Sequence, residues 1–142
     1  MRWGELIALR PRHIDFLAKS VTVEETIIEV SRQHSPIGER YVRKAYPNDN
    51  EPRTFGVDDD WLEAVALHIQ SHGIGRDQPL FTTTSGTPIS RNTFRTRVWL
   101  PAVKASGVDF PVRMHDLRHA HASWLLAEGS NLKSVMERMG HA

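Results

Sequence analysis

The residues best suited to chemistry lie in one stretch near the carboxyl end of the chain, where His115 and Arg118 are three residues apart. In a helix, that spacing places both side chains on the same face. The start of a helix adds free N–H groups and the positive end of the helix dipole. Together these groups favour binding of a phosphate. An ordinary surface helix explains the same pattern equally well. Apolar residues at helical spacing support the helix in either case: Leu117, Ala120, Trp124 and Ala127.

Length and composition set broad limits on the function. The 142 residues suffice for one domain with its own core, and 39% hydrophobic with 25% charged residues is typical of a soluble globular protein. The chain has no cysteine, which excludes disulfides and thiolate metal ligands. Because no apolar run has membrane-spanning length and the amino terminus has no apolar signal-peptide core, we expect a cytoplasmic protein without a membrane partner.

Charge is unevenly distributed although the net charge is only +1. Acidic residues collect at positions 58–60, whereas basic residues cluster in two regions. Such a division between a basic and an acidic side is typical of a protein that binds a polyanion, and chance also produces it. The clustered basic residues are Arg32, Arg40, Arg43, Lys44 and Arg53 in the first region, and Arg91, Arg95, Arg97, Lys104, Arg113 and Arg118 in the second.

The order of predicted elements is one helix, three strands and then helices only. The first helix lacks a capping residue and ends before Pro11. Strands are predicted at 20–30, 40–46 and 53–57, joined by short loops as an antiparallel meander, with a bulge at Glu24. Capping residues at Asp58, Ser90 and Asn131 predict later helices. This segregation predicts a mostly helical α+β fold with one small three-stranded antiparallel sheet.

With these elements placed, the chain resembles the tyrosine recombinases, in particular the catalytic domain of phage-type integrases. Three segments carry the resemblance: Arg2-Trp3-Gly4-Glu5-Leu6, the stretch from His115 to Ser123, and the stretch from Leu132 to His141. The resemblance implies a single domain over residues 1–142 that forms most of a catalytic domain. It also implies that the family's amino-terminal DNA-clamping domain and its final tyrosine segment lie outside these residues.

The resemblance implies a pocket that holds one phosphodiester of double-stranded DNA for site-specific integration or excision. Arg2 and Arg118 match the two family arginines, whose guanidinium groups can stabilise the charge of a pentacovalent transition state. His115 matches a histidine that accepts the proton of the nucleophile or donates to the phosphate. Lys44 matches the hairpin lysine that protonates the leaving oxygen, although Arg43 is adjacent to it and the register is open.

The resemblance also assigns supporting residues. His141 matches a position with histidine or tryptophan that donates to the phosphate, and Glu5 matches an acidic residue that steadies the pocket. The family's nucleophile is a tyrosine beyond His141, and neither Tyr41 nor Tyr46 matches it. We therefore expect no nucleophile in this chain, no cofactor, and a homo-oligomer on DNA. Four arginines are predicted to contact the DNA backbone: Arg91, Arg95, Arg97 and Arg113.

Two other classes remain open from the sequence. The first is a DNA-binding module without chemistry, because backbone contacts need only basic residues and helix starts. The second is a zinc hydrolase, because His115 and His119 are four apart with an acid between them, as in H-E-x-x-H. Against zinc, the acid is the shorter Asp116, a third ligand is not recognisable, and Arg118 would place a positive charge beside the metal.

Overall fold

The computed structural model describes residues 1–30, 39–45 and 52–140. In these residues no helix combines the length and apolarity that crossing a bilayer requires. One helix and a 3₁₀ turn come first, five strands follow, and the remaining elements are helical. The helices are α1 (Trp3–Ala8), a 3₁₀ turn (Pro11–His13), α2 (Asp59–His72), α3 (Arg91–Phe94), α4 (Leu100–Ala105), α5 (Met114–Ala127) and α6 (Leu132–Met139).

Two small antiparallel sheets occupy the amino-terminal half. The strands are β1 (Ile14–Asp15), β2 (Ser20–Val23), β3 (Glu25–Glu29), β4 (Tyr41–Ala45) and β5 (Arg53–Gly56). Strands β1, β2 and β5 form one sheet with β2 in the middle, and β3 pairs with β4 in the other. The predicted α+β class with a small antiparallel sheet is therefore confirmed.

The predicted meander of three strands is wrong in its connections. The stretch 20–30 breaks at Glu24 into two strands that belong to different sheets, so β5 pairs with β2 and not with β4. The break has a local cause, because the Glu24 carboxylate lies 3.1 Å from His13 Nε2 and 3.4 Å from the guanidinium of Arg12. These contacts hold the chain against the 3₁₀ turn at the point where a continuous strand would pass it.

The described residues include two apolar core clusters, and the end of α1 or the residue after it contributes to each. The larger cluster joins the three-stranded sheet to α2, and the smaller one joins α1 to the β3–β4 hairpin. Removing such side chains from water is the main stabilising term for a domain of this size. The buried members are Leu9, Ile14, Val21, Leu62, Val65 and Leu80 in the first cluster, and Ile7, Ala8 and Ile27 in the second.

Two of the three predicted helix caps are confirmed, at Asp58 and Asn131. Ser90 precedes α3 but makes no capping hydrogen bond, because its hydroxyl donates to Glu29 Oε1 at 3.4 Å instead. Asp58 accepts a hydrogen bond from the N–H of Trp61 at 2.7 Å, and Asn131 accepts one from Ser134 at 2.8 Å. Between α3 and α4 the chain forms a π-helical turn at Arg95–Trp99. This turn lies just before Pro101, whose ring cannot continue a regular ladder of helical hydrogen bonds.

The apolar stripe predicted for α5 does not face the core. Leu117 is 57% exposed and Trp124 is 72% exposed, and Ala120 and Ala127 are also exposed. The buried residue of this helix is Arg118. The helix is therefore oriented by its arginine and by its contacts with α6, and hydrophobic periodicity alone indicates the wrong face.

Gly4 allows α1 to approach the backbone of β3, and we predict that Gly4→Ala destabilises the fold. A Cβ at this position would lie 2.6 Å from the carbonyl oxygen of Ile27. Alanine gains about 1 kcal/mol of helix propensity, whereas overpacking costs about 1–3 kcal/mol and the obstacle here is backbone. Urea denaturation should show a lower free energy of unfolding. The control is Gly56→Ala, whose nearest atom is at 3.8 Å; a Gly4→Ala protein as stable as the wild type would contradict the packing argument.

Candidate active site

Three of the predicted site residues, Arg2, His115 and Arg118, line one cavity of about 610 Å³. They come from opposite ends of the sequence, at the start of α1 and in the first turns of α5. The remaining wall is largely apolar and includes residues of the α3 region. Those apolar lining residues are Met1, Trp3, Leu6, Ile7, Phe81, Ile89, Phe94, Trp99, Met114 and Leu117.

The first residues of α1 hold Arg2 at the cavity. The N–H of Arg2 donates to Glu5 Oε2 at 2.7 Å, which closes the helix start with the acid three residues later. The guanidinium of Arg2 lies 3.6 Å from Glu5 Oε1 and donates to the carbonyl oxygen of Gly140 at 2.8 Å. Glu5 is 2% exposed, so its charge must be compensated by cationic side chains such as Arg2 and not by water.

The start of α5 holds His115 and Arg118. The N–H of Arg113 donates to Asp116 Oδ2 at 2.7 Å, so Asp116 closes this helix start as Glu5 closes α1. Arg118 is buried and donates to the carbonyl oxygen of Met139 at the end of α6. Arg118 also lines the cavity, so an anion bound there would lie beside its guanidinium.

The environment of His115 favours its neutral form. Partial desolvation lowers the pKa of His115, and the positive charges of His119, Arg118 and Arg91 lower it further. The His115 and His119 rings meet edge to face, with centroids 4.7 Å apart. A neutral imidazole at neutral pH can accept a proton, which is the requirement for a general base.

The α3 region closes the third side of the cavity. The rings of Trp3 and Phe94 contact each other, with centroids 5.0 Å apart, which joins α3 to α1. The indole N–H of Trp99 donates to the carbonyl oxygen of Val112 at 2.8 Å, which joins the π-helical turn to the segment before α5. Specific contacts therefore connect the α3 region to α1 and to the segment before α5. These contacts hold the walls of the cavity together whether or not a ligand fills it.

A second cavity of about 480 Å³ adjoins the first and shares Arg91, Trp99 and Met114 with it. Arg95 and Arg113 also line this second cavity. Three of the four arginines predicted to contact DNA thus lie along one path that leads away from Arg2 and Arg118. Arg97 is exposed but lines neither cavity, because it lies two positions from Arg95 on the opposite side of the helix.

Comparison of the chain with known proteins identifies its family. The family model described as the phage integrase family matches residues 1–142, the whole chain. The chain belongs to the phage integrase family. The integrase of Staphylococcus phage L54a is 25% identical over 99% of the chain, and the tyrosine recombinase XerD of Listeria monocytogenes is 27% identical over 84% of it. The chain spans 41% and 33% of those two proteins.

Solved structures agree with this integrase fold. The Tn1549 transposon integrase, solved in complex with transposon right end DNA, superposes with a TM-score of 0.78 over 100% of this chain and 47% of its own. The XerA recombinase superposes with a TM-score of 0.71 over 99% of this chain and 44% of its own. The identities are 18% and 20%, so these likenesses establish the fold.

Lys44 and its neighbour Arg43 make different contacts in the β3–β4 hairpin. Arg43 donates to the Ala8 carbonyl oxygen at 3.1 Å and forms an ion pair with Glu25, so it serves to join the hairpin to α1. Lys44 is exposed, pairs across the strands with Thr26, and lies on the opposite face of β4. Lys44 lines neither cavity, and its role at the phosphate stays a prediction. His141 falls outside the described residues.

Sequence analysis missed a residue that the structure places beside Glu5. Arg53 donates to Glu5 Oε2 at 2.6 Å, and its side chain is 11% exposed. In the sequence, Arg53 is only one of several arginines in the first basic region, and it begins a predicted strand. Its one available signal was the need of Glu5 for a buried partner, because a carboxylate that steadies a pocket of cations must itself be neutralised.

The zinc interpretation receives no support from the described residues. In them the one group of three close metal-ligand types is His13, Glu24 and Glu25, which does not include His115 or His119. Glu25 already forms ion pairs with three guanidinium groups, which would repel a metal cation. Those groups belong to Arg10, Arg12 and Arg43.

Proposed function

We propose that this chain forms the phosphate-binding part of a tyrosine recombinase, an enzyme that breaks and rejoins DNA strands through a 3′-phosphotyrosine intermediate. The observation that carries the proposal is the meeting of Arg2, His115 and Arg118 at one cavity. The names of the relatives, integrase and tyrosine recombinase, and the DNA in the Tn1549 integrase structure support the same activity.

The two arginines supply electrostatic stabilisation. A guanidinium presents a flat fork of donors that matches two oxygens of a phosphate, and two forks at one cavity can hold both non-bridging oxygens. In the pentacovalent transition state these oxygens gain negative charge, so fixed donors stabilise the transition state more than the bound substrate. Glu5 limits the repulsion between the cations before DNA binds.

Proton transfer needs the remaining residues. Neutral His115 accepts the proton of the attacking hydroxyl or donates to a phosphate oxygen, and exposed Lys44 protonates the leaving 5′ oxygen. His141 adds a donor to the phosphate. Neither Tyr41 nor Tyr46 matches the family's nucleophile, so we expect residues 1–142 to bind the phosphodiester without breaking it.

Titration of His115 with and without sulfate tests the proposal, since sulfate presents oxygens like the non-bridging oxygens of a phosphodiester and stays doubly charged. Partial desolvation holds the pKa of His115 below the usual value, and the cations around it lower this pKa further. Sulfate between Arg2 and Arg118 should offset them and raise the pKa of His115. The imidazole Cε1–H signals in NMR spectra recorded across pH measure this directly. His13, whose pKa is lowered by burial and which lines neither cavity, serves as the control and should not respond to sulfate. A His115 pKa that sulfate leaves unchanged would refute the site.

A DNA-backbone surface along the second cavity is the second candidate function, favoured by Arg91, Arg95 and Arg113 in one lining. Binding to duplex DNA should weaken as salt rises, and Arg95→Gln should reduce the slope of log K against log salt by about 0.9. Lys104→Gln removes an equal charge from α4, outside both cavities, and should leave the slope unchanged. Fluorescence anisotropy over a salt series gives the slopes. Equal slopes for Arg95→Gln and wild type would place the DNA elsewhere.

A further inference from the structure

Three arginines from different elements bind consecutive carbonyl groups at the end of α6. A helix ends in unpaired carbonyls with the negative end of its dipole, which favours cations. The end of α6 therefore connects two arginines of the cavity, Arg2 and Arg118, to a third arginine, Arg53, on β5. The donor and acceptor pairs are Arg53 with the Arg138 carbonyl at 3.1 Å, Arg118 with the Met139 carbonyl, and Arg2 with the Gly140 carbonyl at 2.8 Å.

Arg53 is the close counter-ion of Glu5. The nitrogen–oxygen distance is 2.6 Å for Arg53, compared with 3.6 Å for Arg2, and the Glu5 side chain is only 1% exposed. A buried carboxylate that loses its nearest cation must attract another one, because leaving it uncompensated is costly. Arg2 already forms an ion pair with Glu5, and its side chain is 43% exposed and reaches the cavity, so we expect Glu5 to draw Arg2 closer.

Gly140 shows how closely the Arg53 guanidinium is fitted. A Cβ on Gly140 would lie 2.7 Å from a terminal nitrogen of Arg53 and 2.9 Å from its Cζ. The flat guanidinium thus lies against the Gly140 backbone while its donors reach Glu5 and the Arg138 carbonyl. A lysine keeps the charge but has one ammonium group, and it cannot reproduce this fork.

We propose that Arg53 is a positioning residue: by joining Glu5 to the end of α6, it sets the distance between Arg2 and Arg118 that suits one phosphate group. The inference rests on the proposed phosphate-binding function of that cavity. Arg53 acts through Glu5 and through the α6 carbonyls, and it does not line the cavity. Its contribution is to keep Arg2 and Arg118 directed at the phosphate.

The first test compares Arg53→Lys with Arg43→Lys. Both replacements keep the charge, and both disturb an arginine that joins a glutamate to a main-chain carbonyl, but Arg43 does so in the hairpin away from the cavity. We expect Arg53→Lys to weaken sulfate binding about tenfold, as for the loss of one charged hydrogen bond, and Arg43→Lys to bind sulfate like the wild type. Thermal unfolding of both proteins verifies that each is folded.

The second test uses Glu5→Gln, for which charge and positioning predict opposite results. Removing a negative charge near the cavity should tighten sulfate binding if Glu5 acts only as a charge. If the Arg53–Glu5 pair positions Arg2, the same change weakens sulfate binding. NMR order parameters of the Arg2 and Arg118 Nε–H groups, measured without sulfate, should fall in Arg53→Lys and in Glu5→Gln and stay high in Arg43→Lys.

The outcomes separate this inference from the proposed function. A wild-type protein that binds no sulfate refutes the phosphate site, and the arginine order parameters then decide the positioning role alone. Wild-type sulfate affinity in Arg53→Lys, tighter binding in Glu5→Gln, or unchanged order of Arg2 and Arg118 in the Arg53→Lys protein would each overturn the role of Arg53.

Discussion

Arg118→Lys should weaken the binding of sulfate to the cavity roughly ten- to a hundredfold, because a hydrogen bond to a charged group contributes about 1.5–3 kcal/mol. The charge is the same in both proteins, so the loss measures the planar fork of donors and not the Coulomb attraction. Arg118 is buried and fixed by the Met139 carbonyl, which means that little side-chain entropy is lost when sulfate binds. The shift of the His115 signals with sulfate concentration gives the dissociation constant.

A matched control separates this effect from a loss of folding. Arg10 is also largely buried, forms an ion pair with Glu25 at 3.3 Å, and lies outside the cavity lining. Arg10→Lys should therefore lower stability to a similar extent while leaving the affinity for sulfate unchanged. A folded Arg118→Lys protein with wild-type affinity would show that Arg118 holds α6 and does not take part in binding the anion.

Local patterns in the sequence predicted most elements but not their pairing. The caps at Asp58 and Asn131, and the β-branched residues of β2 and β3, act within a few residues and are readable without the fold. The break at Glu24 is different, because it depends on contacts with the preceding 3₁₀ turn. Alternation alone could show a slip at this point, but it could not show that the two halves join different sheets.

The residues of the site also differ in whether the sequence could identify them. Arg2, His115 and Arg118 could be named because each lies in a short segment that resembles the family. Arg53 could not, because its importance comes from Glu5 and from carbonyl groups at the end of α6, which are distant in sequence. Every residue has a main-chain carbonyl group. Contacts between the arginines and such carbonyl groups therefore leave no pattern in the sequence.

The orientation of α5 shows how hydrophobic periodicity can mislead at such a site. Leu117 and Trp124 form the most apolar face, yet both are mainly exposed, while Arg118 faces inward. Burying the arginine is favourable here because the end of α6 offers it a carbonyl partner. The face that a helix turns to the protein therefore depends on the polar groups of its neighbour as well as on its own apolar residues.

A polypeptide of residues 1–142 should form no covalent adduct with nicked DNA that traps phosphotyrosine intermediates. Tyr41 is unsuited to the attack, since its ring packs against the α1 and β3 cluster beneath Arg40, whose guanidinium lies 5.6 Å from the ring centroid. Tyr46 lies outside the described residues and closely follows the Lys44 strand, the predicted side of the leaving group. Denaturing gel electrophoresis with labelled DNA should show no band of slower mobility.

Binding without cleavage is the expected state of this polypeptide, because donors that stabilise a pentacovalent phosphate cannot replace the nucleophile that forms it. A full-length tyrosine recombinase with its own nicked substrate verifies the assay. Where the reading frame continues to a tyrosine, the polypeptide extended through that residue should form the adduct, and Arg118→Ala in it should abolish the band. An adduct from residues 1–142 that disappears in Tyr41→Phe or Tyr46→Phe would instead identify a nucleophile in the hairpin, and the family's catalytic arrangement could not then apply to this cavity.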